Sequence, residues 1–393
     1  AVFEVDDEGD FSSFTIHQTA PPDFPTLRRH RLAIGLYDRT DEGLVRRSTV
    51  ETDVAGEFTE VTKLVGQPRP DLVLLNDGDL TYAKVRLDER SLATAVANID
   101  RFTDSLARAL LWGAAWDMTR DAEMRATDWV ELVLRGIGAE TDLMAVRSLV
   151  SRSGQAVFLY TAPENRRAVQ ERWESGLLQL VRQAPDGSDQ QLAFLRGLAG
   201  AAHSDEAFDL LTGLLDGTAQ LDGLTVDTDL RWELLSGLTR EGKADDSAVD
   251  AELERDKTIS GQEHAAAARA AMPTAEAKAR AWADAVERDD VPNETMRSVA
   301  LSFHQPGQDE VLKPYLQRYL SVADHIWEER GVHRASTVLG YLFPRLLATQ
   351  ETLDAVDAWL STTSANAAAR RLVTEGRDDI ARALAAQRRD ANG

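Results

Sequence analysis

The sequence predicts a mainly α protein with an N-terminal all-β module, namely a small β-sandwich followed by an α-helical superhelical (HEAT-like) array. Three observations carry this reading. Over residues 1–88 apolar and polar side chains alternate between clusters of turn residues. From Ser91 onward the apolar spacing changes to three and four residues and stays there. The gaps between the helical segments are short and rich in Gly, Asp, Ser and Pro, as in antiparallel neighbours. A chain of 393 residues is also too long for one core. We therefore divide it into a β-sandwich domain at 1–88 and an α-helical superhelical C-terminal domain at 89–393.

Within the first part, Phe14-Thr15-Ile16-His17 alternates apolar and polar, and Leu32, Ile34 and Leu36 share one face of a second strand. Leu44 to Thr52 contains a third, and Phe58, Val61 and Leu64 mark a fourth after Ala55-Gly56. Asp71-Leu72-Val73-Leu74-Leu75 reads as a short buried strand entering Asn76-Asp77-Gly78-Asp79, a hairpin turn whose Asn and Gly tolerate positive φ. The return strand places Tyr82, Lys84 and Arg86 on one face and Ala83, Val85 and Leu87 on the other. Tyr82 is expected to pack at the boundary between sandwich and helices.

In the second part, Phe102, Leu106, Ala109, Leu110, Gly113 and Trp116 form one helical stripe, and Val169, Trp173, Leu177 and Leu180 another behind Pro163-Glu164. Further segments run at 192–198, 207–215, 230–238, 249–253, 275–286, 292–303, 312–320, 335–347 and 353–360, with a tail at 367–386. Trp129, Trp173, Trp232, Trp282 and Trp327 are spaced by 44, 59, 50 and 45 residues, near the period of two-helix solenoid repeats. Stacked amphipathic helices of this kind build an extended concave face.

Composition removes several classes of function. The formal net charge of -22, spread over both parts, repels phosphate backbones and anionic lipid, so nucleic acid and membrane are poor partners. Without cysteine there is no disulfide, thiolate zinc site or cysteine nucleophile. No apolar run approaches the roughly 18 residues that span a bilayer, and the start has no signal core, which fits a cytoplasmic protein. The chain has no initiator Met and opens inside a strand-like run, the pattern expected of a fragment.

The search for chemistry ends negatively. A zincin helix needs two His four apart with Glu beside the first, and none of the seven His at 17, 30, 203, 264, 304, 325 and 333 has such a partner. His325 precedes Glu328 and Glu329 but lacks a third convergent ligand. There is no Gly-x-Ser-x-Gly elbow and no phosphate loop, and Gly136-Ile137-Gly138 follows a helix rather than a strand.

Several segments do have a familiar order. Leu74-Leu75-Asn76-Asp77-Gly78-Asp79-Leu80-Thr81-Tyr82-Ala83-Lys84-Val85-Arg86 resembles the hairpin of the aminopeptidase N family. The run from Ala107 to Met118, with Leu111-Trp112-Gly113 and Trp116-Asp117, is similar to the first long helix of that family's C-terminal domain. Asp229 to Leu235, Ala251 to Asp256, Ala277 to Trp282 and Lys313 to Tyr319 resemble later parts, most specifically between residues 70 and 320.

That resemblance implies the C-terminal region of a zinc-dependent aminopeptidase: a β-sandwich spacer, then a helical bowl that closes over the zinc domain. The family's zinc ligands, catalytic Glu and Gly-Ala-Met-Glu-Asn strand lie N-terminal to this region. No catalytic, cofactor-binding or metal residue is carried over, and zinc is implied only in that catalytic domain. The implied partners are the N-terminal catalytic domain of the same polypeptide and a peptide substrate, whose chamber this region shapes and gates. Arg231, beside Trp232, is a candidate to meet a peptide carboxylate, because guanidinium binds carboxylate in a two-pronged fashion. The plain alternative is an internal salt bridge. Tyr315 and Arg345 complete the chamber candidates. A reading from another class is a free-standing helical-repeat scaffold that binds a protein or peptide on its concave face.

Overall fold

The computed structural model describes residues 1–392. Its first part has six strands: β1 (Val2–Val5), β2 (Phe11–His17), β3 (His30–Thr40), β4 (Gly43–Val54), β5 (Phe58–Glu60) and β6 (Leu72–Leu75). They form two antiparallel three-stranded sheets, ordered β1-β2-β5 and β4-β3-β6. Period-two alternation puts Phe14 and Ile16 of one sheet, joined by Phe11 across a register shift in β2's pairing with β1, against Leu32, Ile34, Leu36 and Val73 of the other, which is the core of a small sandwich. Between Leu36 and Tyr37 the pairing with β4 slips by one residue.

The Asn76 turn is more than a turn. Asn76, Gly78 and Asp79 have φ of 58°, 83° and 55°, and the Asn76 amide closes on both backbone groups of Thr81. Asp77, however, is buried, and its carboxylate accepts bonds from Tyr37 Oη (2.9 Å) and Arg46 Nη1 (3.0 Å). Gly35 makes room for it, since a Cβ there would collide with that carboxylate. The expected return strand does not form. Residues 82–87 pair with no strand, and Lys84 and Arg86 are held instead by Asp121 and Glu123. Tyr82 is 102% exposed, so it is not the packing residue expected.

Helices begin at Glu89–Asn98, and the later elements of the described chain are all helical, as the periodicity requires. The chain divides into two compact units, Ala1–Ser153 and Gly154–Gly393, so the first helices share a unit with the sandwich. In the first unit, helix Ser105–Arg120 buries Ala107, Arg108, Leu111, Trp112 and Ala115. The stripe expected there is thus out of phase: Leu106 is 44% exposed, because the tryptophans and Arg108 set the buried face. Arg108 and Trp112 both donate to Glu140 (2.7 and 2.8 Å), a buried charge pair with its own hydrogen bonds.

In the second unit the Val169, Trp173, Leu177 and Leu180 stripe is buried as expected. Helices Asp189–Ala201, Thr228–Arg240, Ile259–Ala271, Asn293–Phe303, Gly331–Tyr341 and Ala367–Ala391 pack in that order as one continuous row. Asp205–Asp216, Asp246–Arg255 and Ala275–Trp282 alternate with them as a second row. The helix expected to run through 335–347 ends at Tyr341, because Pro344 cannot continue it. Trp232 belongs to the first row and Trp282 to the second, so the tryptophans do not mark equivalent repeat positions. Ala367–Ala391 also packs on helix Pro163–Gln183. There Asp390 Oδ2 accepts from Ala162 N (3.0 Å) and Asn165 Nδ2 (3.1 Å), and Gln387 Nε2 donates to Leu159 O (2.8 Å). The row is therefore closed. No helix among the described residues is long and apolar enough to cross a membrane.

Candidate functional site

The C-terminal end of a helix leaves four carbonyls without partners, and the first row solves this with side chains from neighbouring elements. Arg240 donates to Gly200 O and Ala202 O, and Gln308 Nε2 donates to Arg240 O and Ala271 O (2.9 Å each). Lys278 Nζ bridges Ala270 O (2.8 Å) and Phe303 O (2.7 Å). His304 Nε2 meets Leu342 O at 3.0 Å, and burial pushes its imidazole down to about 4. Each polar clip ties one helix end to its neighbour, which fixes the helices on which the candidate residues sit.

Helix Thr228–Arg240 starts at Asp227, whose carboxylate accepts from Leu230 N at 2.9 Å. It carries Arg231 and Trp232. The Arg231 guanidinium grips Glu252 with two bonds of 2.7 Å and donates a third to Leu215 O (2.8 Å), and the bonds to Glu252 hold its pKa above the ordinary value. Trp232 is fully buried, donates Nε1–H to Asp256 Oδ2 (2.9 Å), and lies 5.9 Å from the His264 ring. Bonds from Thr258 and then Trp232 draw the Asp256 carboxyl below its usual range. The structure thus brings Arg231 and Trp232 together on the segment containing Glu252 and Asp256.

Tyr315 and Arg345 belong to a different core. The Tyr315 ring packs against Trp282 (5.2 Å) and Phe303 (4.9 Å), and burial raises its phenol pKa. Arg345 pairs with Asp379 at 2.8 Å and caps Gly340 O at 2.6 Å. All four candidates thus have partners within the fold.

Trp232 also lines a groove of about 290 Å³ that crosses four helices of the first row, whose polar lining residues sequence reasoning missed. Arg196, Glu233, His264, Ser302 and Gln305 line it, over a floor that includes Gly200 and Gly237. Gly237 is required there, since a Cβ would approach Ala199 O to 2.5 Å. Arg196 Nε and Glu233 Oε2 are 2.8 Å apart. Burial raises the Glu233 carboxyl pKa despite the neighbouring Arg196. The pair lies 37 positions apart on separate helices, so no local spacing announces it. The arrangement sets a paired guanidinium and carboxylate beside neutral polar side chains along one shallow channel.

The ERAP1-like C-terminal domain family matches residues 72–382. An Aminopeptidase N of Streptomyces lividans is 48% identical over 395 aligned positions, covering 99% of this chain and 46% of that protein. The chain belongs to the aminopeptidase N family. It corresponds to the C-terminal region of such proteins and spans about half the length of the curated relative it matches. The aminopeptidase N family implies zinc, and the donor set of this chain does not fit it. Among the described residues no three His, Asp or Glu side chains converge as a metal site. His325 meets only Glu329, at 3.7 Å. No step of a zinc mechanism is therefore assigned to these residues.

Proposed function

We propose that this chain is the non-catalytic region of a cytoplasmic zinc-dependent aminopeptidase, which removes N-terminal residues from peptides, and that it shapes and gates the substrate chamber. The observation that carries the reading is membership in the aminopeptidase N family over a chain that equals under half of its relative and offers no converging metal donors among its described residues. In this reading the partners are the catalytic domain and the peptide. Zinc and the water it activates belong to that domain. The groove of Arg196 and Glu233 serves as chamber wall, and Arg231, Trp232, Tyr315 and Arg345 hold the wall in shape. Fixed walls act on access and peptide length rather than on bond cleavage.

Two measurements test this. The purified chain contains no stoichiometric zinc by metal analysis and leaves aminoacyl reporter substrates intact, whereas tight zinc or turnover refutes it. In the intact enzyme, Glu233→Arg alters KM for oligopeptides and leaves kcat/KM for a single-residue reporter unchanged. Equal effects on both substrates refute the role as chamber wall.

A further inference from the structure

Two stretches of the first unit carry apolar side chains or strand chemistry yet pair with no strand among the described residues. Residues 21–29, between β2 and β3, are exposed throughout, with Phe24 at 77% among three prolines. After the Asn76 turn, Tyr82–Leu87 alternates as a strand should, but none of its six backbone N–H groups donates to a protein acceptor among the described residues. An unpaired run of this kind is a template for another strand. Both stretches line one groove of about 830 Å³. Gln18 lines it too: its Nε2 donates to Arg28 O (2.8 Å), which fixes the amide and leaves Oε1 buried without a protein donor.

We propose that this groove seats an extended strand from the part of the enzyme outside this chain, paired through its backbone with Tyr82–Leu87 and laid against Phe24 and Tyr82. Such strand addition draws affinity from main-chain bonds and register from alternate side chains. The inference rests on the reading above that the chain is one region of a longer aminopeptidase. Two features favour this occupant. Ala1 lines the same groove, so residues joined to its amino group would begin inside it. The matched relative is more than twice as long as the aligned region. A second copy is disfavoured because each carries a net charge of -22.

Amide hydrogen exchange provides the test, read on the peptide spanning residues 82–87. In this chain alone these amides exchange near the unprotected rate. In intact Streptomyces lividans aminopeptidase N the aligned amides exchange at least about 100-fold more slowly. Fast exchange in both proteins overturns the proposal. Protection in the isolated chain also overturns it, and a doubled mass on size exclusion would then identify a second copy as the occupant. Reporter hydrolysis by the same intact preparation checks the parent reading separately, because loss of activity leaves the exchange comparison standing.

Discussion

Lys278 is the sharpest place to test the reasoning. Its ammonium is fully buried, has two helix-end carbonyls at 2.8 and 2.7 Å, and sits 5.5 Å from the Phe303 ring centre. Burial pushes it from 10.5 down to about 7. A group whose charged form is disfavoured in the fold sheds its proton there first. Between the folded and unfolded values the unfolded chain binds more protons, so stability rises with pH. From pH 6 to 9 the gain is about 2.6 kcal/mol, from one pKa unit being about 1.4 kcal/mol. Lys278→Met keeps the length of the side chain and removes the proton. Urea unfolding followed by tryptophan fluorescence at pH 6, 7, 8 and 9 gives the difference between wild type and variant. That difference should shift toward wild type by about 2–3 kcal/mol across the range. His304 nearby is held at about 4 and is therefore neutral in the fold from pH 6 upward. Its protonation in the unfolded chain is common to wild type and variant, so it cancels in the difference. A flat difference refutes the argument, because it would mean that the two carbonyls hold the ammonium near its ordinary value.

Two further outcomes are expected. Gly35→Ala drives a methyl into the Asp77 carboxylate and destabilises the sandwich by about 2 kcal/mol, read as faster amide exchange along β3. Asp390→Ala strips the acceptor from Ala162 N–H and the Asn165 amide, and it lowers the stability of the second unit by about 3 kcal/mol in chemical denaturation.

Much of this fold could be read from the chain, and the failures have physical causes. Strand β3 was legible because Leu32, Ile34 and Leu36 all face one core. The helix Ile259–Ala271 was not, because its buried face is Ala265, Ala268, Ala270 and Ala271. Small side chains give no strong apolar stripe, yet they are what lets that helix lie close to its neighbours in the row. The strand after Asn76 failed for the opposite reason: the alternation is real, but nothing within the described residues pairs with it. An internal ion pair does hold Arg231, and its partner Glu252 lies 21 positions away, where no local pattern announces it. The polar clips at helix ends, Lys278 above all, leave no mark in a sequence because any surface lysine looks the same.

The contact between Asp390 and the 162–165 turn joins positions about 228 residues apart, and it changes how the helices can assemble. In an open stack each pair can settle on its predecessor as it leaves the ribosome. Here the first helix of the second unit waits for the last one, a delay of about 10–45 s at synthesis rates of about 5–20 residues per second. Until then the apolar flank of Pro163–Gln183 that receives Ala367–Ala391 stands open, and nascent chains stalled before residue 367 should be bound by chaperones more than the finished protein.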